Sequence, residues 1–163
     1  MITFTRRPRE LLRHDGGNMM IEFALALPIL STMLVGMLDL GRFALDKSSM
    51  LQAARSGAQY GIVASNVGVL TAADLTSVNT TAVASTSLTG VTASNSVFCE
   101  CTSGVTVLCT STCSGGSLPK HYLTVTTTRS FTSVVGAAGL QFGTLGNWSA
   151  PTSITASVTT LLP

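Results

Sequence analysis

With 163 residues the chain suits one modest domain plus an anchor, and only 10% of it is charged, where an average soluble domain carries roughly 25%. Its net charge of +2 belongs to the start: Arg6, Arg7, Arg9 and Arg13 stand there against Glu10 and Asp15, while Ser56 to Pro163 holds only Asp74, Glu100, Lys120 and Arg129. A folded part without a basic patch argues against nucleic acid as a partner, and so little charge argues against an ordinary soluble domain.

From Met19 to Leu38 the sequence reads MMIEFALALPILSTMLVGML, with Glu22 its one charge. At 1.5 Å per residue such a run makes about 30 Å of helix, enough to cross a hydrocarbon core. Pro28 is tolerated in such a helix, because neighbouring groups can re-satisfy the freed backbone. The four upstream arginines predict a cytoplasmic N-terminus and an exported C-terminal part. A cleavable secretory signal is the rival reading, but its apolar core spans about 7 to 15 residues and ends at a small-residue site. Here the run is longer and passes into a helical pattern.

The helix is predicted to continue from about Asn18 to Ala64, roughly 70 Å in all, with its first half in lipid and its second half packed on a soluble domain. Asp39 with Arg42, and Arg42 with Asp46, stand at helix-neighbour spacing. Ala53, Gly57 and Gly61 recur at four-residue steps, a stripe that suits close approach of a sheet or another helix. Glu22 has two readings: an interfacial carboxylate that snorkels to water, or a charge kept in the span because it has a partner.

Beyond the helix, Thr71 and Asp74 form a capping-box pattern before Leu75, Val78 and Ala82, which predicts a short second helix. Strand signals follow in SVFCEC and VTVLC, joined through Thr102-Ser103-Gly104 as a hairpin, then in HYLTVTTTRSF and ITASVTTL. In the third, Leu123, Val125, Thr127 and Phe131 alternate with Tyr122, Thr124 and Thr126. GAAGLQFGTLGNWSAP, with the single Trp148, reads as a glycine-rich loop. The fold class expected is α+β: a long N-terminal helix packed on a small antiparallel sheet, with a second short helix.

Cys99, Cys101, Cys109 and Cys113 lie on the exported side, where disulfides persist. Four cysteines allow three connectivities. A hairpin that opposes these positions favours nested bridges, Cys99–Cys113 and Cys101–Cys109. Zinc is the rival, but Cys-x-Cys and Cys-x3-Cys depart from the usual Cys-x2-Cys spacing, so no metal and no cofactor is expected. No phosphate loop, HExxH or carboxylate-pair signature occurs, and the only histidines are His14 and His121. The chain is read as an interaction protein without catalytic residues.

Gly17 precedes Asn18, and counted from Asn18 the glutamate is the fifth residue. A glycine, a glutamate at position five and an unbroken apolar stretch together resemble the processing site of type IV pilin-like proteins. Glu22-Phe23-Ala24-Leu25, Pro28, Leu30, Gly36, Gly41-Arg42 and Ala53-Ala54-Arg55 narrow the likeness. Over about residues 13 to 62 the chain resembles the TadE-like pseudopilin family of the tight-adherence (Flp) pilus. The resemblance implies a type IV pilin-like fold, a leader at 1–17, a membrane and stalk helix at 18–64, and an exported domain at 65–163. It implies a prepilin peptidase that cuts after Gly17, and a new Asn18 amine that pairs with Glu22 of a neighbouring subunit. It also implies an inner-membrane protein whose partners are other pilins and pseudopilins, inner-membrane assembly proteins and the lipid bilayer. An uncleaved anchor that presents a periplasmic domain is the alternative.

Overall fold

The computed structural model describes residues 15–65, 70–101, 104–134, 140–141, 147–148 and 151–163; leader residues 1–14 lie outside these. The protein is α+β. A 51-residue helix, α1 (Asp15–Ser65), is followed by α2 (Ala72–Ala84) and by strands β1 (Thr92–Glu100), β2 (Thr106–Val107), β3 (Lys120–Ser130), β4 (Leu140–Gln141), β5 (Asn147–Trp148) and β6 (Ser153–Leu161). The main sheet has the order β2-β1-β3-β6 with every neighbour antiparallel, and β4 and β5 form a separate hairpin. That hairpin falls inside the stretch read as a glycine-rich loop; the side chain of Trp148 lies outside the described residues.

The chain divides into two compact units, with the boundary after Leu38. In the first, α1 passes through Pro28 unbroken. Ser31 Oγ and Thr32 Oγ1 donate to the Pro28 carbonyl at 2.9 and 3.0 Å, so both hydroxyls are satisfied within the helix, as an apolar environment requires. Met19, Phe23, Ile29, Leu34 and Leu38 are all exposed, and α1 is long and apolar enough to cross a membrane once.

The second unit is built on the remainder of α1. Gly57 and Gly61 bring the helix close to its neighbours: a Cβ on Gly57 would stand 3.0 Å from both Ala82 Cβ and the Val78 carbonyl, and one on Gly61 would overlap Leu123 Cδ2. Ala54, Ala58, Val78, Ala82, Leu123 and Val125 close one core cluster there. A second gathers Met50, Phe131, Ile154 and Ala156, with Phe43 edge-on to Phe131 at 5.6 Å. Between them Thr127 is fully buried, and its hydroxyl faces the carbonyls of Met50 and Ala156 at 3.0 and 3.3 Å, so the polar group carries no desolvation debt.

α2 starts where its sequence signals it. Thr71 N–H and Oγ1 donate to Asp74 Oδ2 at 2.8 and 2.7 Å, and Asp74 N–H returns to Thr71 Oγ1 at 3.3 Å, a complete capping box. The first strand begins at Thr92, earlier than its apolar residues suggest. Thr92, Ser94 and Asn95 are polar, and the segment is held by its ladder to Thr128, Thr127, Thr126 and Val125 of β3 and by Asn95 Nδ2, which donates to Leu75 O and Asn79 Oδ1.

The cysteine pairing differs from the nested expectation: Cys99 is bonded to Cys109 and Cys101 to Cys113. The register explains it. Cys99 stands opposite Val107, so the hairpin never faces Cys99 with Cys113 or Cys101 with Cys109. The chain turns immediately after β2, where Ser111 N–H donates to Leu108 O at 2.9 Å, and Cys109 is left diagonal to Cys99. Cys113 is bonded to Cys101, and just beyond it Gly115 and Gly116, at φ +86° and +78°, form a turn in which Gly116 N–H donates to Cys113 O at 3.1 Å and Cys113 N–H to Ser117 O at 2.9 Å. Only glycine adopts two successive left-handed residues at little cost. The Cα separations of 5.1 and 5.7 Å lie in the range of unstrained disulfides. All four sulfurs are thereby committed to one another, which removes them as zinc ligands.

Candidate functional site: the anchor helix and its carboxylate

Glu22 lies on α1 among Met19, Met20, Phe23 and Ala26, and no hydrogen bond or ion pair engages it among the described residues. Phe23 is 64% exposed. The helix thus presents a carboxylate and an aromatic ring that no hydrogen bond or ring contact among the described residues engages. Gly17 and Asn18 stand in the first turn of α1, so Glu22 is about one helical turn beyond Asn18.

Gly36 and Gly41 share this property. A Cβ on either would meet nothing within 4 Å among the described residues, so packing among those residues does not demand a glycine there. Gly57 and Gly61 are the opposite case, since packing on α2 and β3 accounts for both.

Arg42 is exposed, with Nη1 3.9 Å from Asp39 Oδ1. Asp39 is 3% exposed and also accepts from Val134 N–H at 3.0 Å and from Ser133 Oγ. The second pair offered by helical spacing, Arg42 with Asp46, is replaced: Asp46 Oδ2 takes Arg129 Nη1 at 2.5 Å, while Arg129 Nε donates to Thr89 O at 2.9 Å. A guanidinium on the adjoining strand has two acceptors to bridge, whereas a helical neighbour offers only an exposed, screened contact. Sequence reasoning missed these two cross-element links. Their signal was present in the rarity of charge, since Arg129 is one of four charged residues after Ser56.

These features define a class: an α+β protein with one N-terminal helix able to span a membrane, whose second half is the spine of a disulfide-stapled sheet. A family model described as TadE-like protein matches residues 17–59, and over that stretch the chain is similar to that family. The match opens at Gly17 and takes in Glu22, Phe23, Pro28, Gly36, Gly41 and Arg42; α2 and the sheet lie beyond it. No curated protein and no solved structure matches the chain.

Proposed function

We propose that this chain is a minor pseudopilin of a tight-adherence pilus. It is held in the inner membrane by α1, with its N-terminus in the cytoplasm and its sheet domain in the periplasm. A prepilin peptidase removes residues 1–17, and the amine of Asn18 then pairs with Glu22 of an adjacent subunit. The protein acts in pilus assembly and adhesion through helix contacts with other pilins and with inner-membrane assembly proteins, and it carries out no catalysis.

The observation that carries this reading is Glu22, which no described residue engages, on a helix similar to the TadE-like family and one turn from the bond after Gly17. A lone carboxylate in an apolar span costs about 2.5 to 3.5 kcal/mol at a helix centre and less near an end. Pairing with a subunit's new amine, whose ordinary pKa is about 7.7 to 8.0, offsets that cost and sets the register between subunits. The test is the intact mass of the membrane-extracted chain from cells with and without an active prepilin peptidase. A chain that begins at Asn18 only in the first supports the reading; one that keeps residues 1–17 in both refutes processing.

One observation favours the second reading, an uncleaved anchor that presents a periplasmic interaction domain. The Gly17–Asn18 bond lies within α1, so a protease that binds extended backbone must first open that turn. Terminal turns open at little cost, and the mass measurement distinguishes the two.

A further inference from the structure

The two bridges of the sheet domain are not equivalent. In the first, Cys99 is fully buried and Cys109 is exposed; in the second, Cys113 is buried and Cys101 half-buried. The first bridge alone has an exposed cysteine, and it also has an ionisable neighbour. His121 stands directly opposite Cys99 in the ladder between β1 and β3, and residues so paired turn their side chains to one face. A ring nitrogen of His121 and the sulfurs of Cys99 and Cys109 all lie within 4.8 Å of one another. Neither Cys101 nor Cys113 belongs to that group. Glu100 and Lys120, the next ladder pair, turn to the opposite face. Among the described residues no hydrogen bond or ion pair engages the imidazole.

Thiol–disulfide exchange responds to these differences. Its rate depends on which sulfur an incoming thiolate can reach, and it rises as the thiol that leaves becomes more acidic. An incoming thiolate reaches Cys109, so the sulfur that leaves is that of Cys99. Burial by itself disfavours a thiolate there, whereas an adjacent imidazolium favours one. An imidazole can carry that proton near neutral pH. The arrangement therefore supplies an accessible point of attack at one end of the bridge and a stabilised leaving group at the other.

We infer that the Cys99–Cys109 bridge is a thiol–disulfide exchange site for a dithiol, with Cys109 the sulfur attacked and His121 the group that stabilises the departing Cys99 thiolate. One thiolate of the dithiol bonds to Cys109 Sγ. The electron pair of the broken S–S bond passes to Cys99 Sγ, which then takes up a proton. The second thiolate attacks the dithiol's own sulfur in the mixed disulfide, and Cys109 leaves as a thiolate that is protonated in turn. Two electrons and two protons have passed from the dithiol to the bridge, and the reverse sequence closes it again. Cys101–Cys113 stays closed throughout and keeps the chain after β2 tied to the end of β1. The exchange goes beyond the assembly reading and does not depend on removal of residues 1–17.

The full-length chain in detergent is treated at neutral pH with graded dithiothreitol or with glutathione, quenched with N-ethylmaleimide and mapped by peptide mass spectrometry. At low dithiothreitol the expected result is maleimide on Cys99 and Cys109 with Cys101–Cys113 intact. Glutathione, a monothiol that stops at the mixed disulfide, is expected on Cys109, with maleimide on Cys99. His121→Gln slows opening of this bridge several-fold and leaves the other unchanged. His121→Lys, which keeps a cation on that face, retains most of the parent rate. A substitution that only loosened the packing would speed the opening, so the direction of the change separates charge from structure. Glutathione on Cys99, Cys101 or Cys113, or two bridges that open together, overturns the inference. So does a His121→Gln chain that opens as fast as the parent or faster.

Discussion

Gly61 of α1 lies directly against Leu123 of β3, so closely that a single added Cβ would occupy the place of the leucine's Cδ2. Leu123 is fully buried and has little room to give. Overpacking a closed core costs about 1 to 3 kcal/mol, against about 1 kcal/mol gained when alanine replaces a helical glycine. Gly61→Ala is therefore expected to lower domain stability by up to about 2 kcal/mol. Gly36→Ala, with open space around it, keeps the propensity gain and loses no stability. Urea titration of both variants in detergent, followed by Trp148 fluorescence or circular dichroism, checks the contrast; equal midpoints would contradict it.

The interlaced bridges make a second expectation. Electron-transfer fragmentation of the non-reduced peptide that spans the four cysteines should yield Cys99–Cys109 and Cys101–Cys113. Their sequence separations are 10 and 12. In the chain-entropy model a loop of about 15 residues is worth about 3 kcal/mol, so each should supply a little less. Reduction should lower the unfolding midpoint accordingly, and the nested fragments would refute the register described for β1 and β2.

Which parts of this fold could be read ahead of the structure follows from the range of the forces involved. The apolar run of α1, the Thr71–Asp74 cap and the alternation of Leu123, Val125 and Thr127 are local patterns, and each occupies its expected place. The bridges were misjudged because connectivity depends on the hairpin register and on the turn immediately after β2, neither of which the spacing of the cysteines reveals. Arg42 with Asp46 failed similarly: helical spacing offers a partner, but Arg129 arrives from 83 residues away with two acceptors to satisfy. β4 and β5 are two residues each, too short for any periodic signal. Within the candidate site, Glu22 and Gly17 were visible as sequence anomalies. The structure adds that Gly36 and Gly41 are not needed for internal packing, which a glycine in a sequence cannot reveal.

Arg129 ties β3 to α1 through Asp46 and to the chain before β1 through Thr89 O. Lysine keeps the charge but has no planar fork to serve both acceptors. Arg129→Lys should cost up to about 1.5 to 3 kcal/mol, the value of hydrogen bonds to charged groups, and Arg129→Ala at least as much. Thermal unfolding in detergent would show the loss. A lysine variant as stable as the parent would mean that charge alone suffices.

Asp74 gives the fold an acid-sensitive point. Hydrogen bonds from the backbone N–H and then the hydroxyl of Thr71 hold its carboxyl below the ordinary 3.8. A group depressed in the folded state stabilises that state above its unfolded pKa and loses the contribution as pH falls through the folded value. The start of α2 should therefore be intact from neutral pH down to about the ordinary carboxylate range and loosen only below it. Amide exchange at Leu75 followed against pH would report this. Thr71→Ala, which removes the hydroxyl at every pH, should cost about 0.5 to 2 kcal/mol and flatten the acid transition of that turn. An unchanged transition would assign it to another carboxylate.

Glu22 is the one carboxylate in the apolar run, and no described residue engages it, so its replacement should separate folding from assembly. Glu22→Ala removes a charge that costs membrane insertion and touches no core residue. Insertion and the unfolding midpoint of the sheet domain should therefore match the parent. If Glu22 pairs with the amine of an adjacent subunit, the same variant should enter filaments poorly, because the buried amine is left without its partner. Glu22→Asp, which retains the charge on a shorter arm, should restore part of that entry. The measurement is the ratio of filament-associated to membrane-resident protein for the three chains at equal expression. Equal ratios would show that the carboxylate serves the membrane interface alone, whereas an ordered decline from glutamate through aspartate to alanine would tie it to a directional contact between subunits.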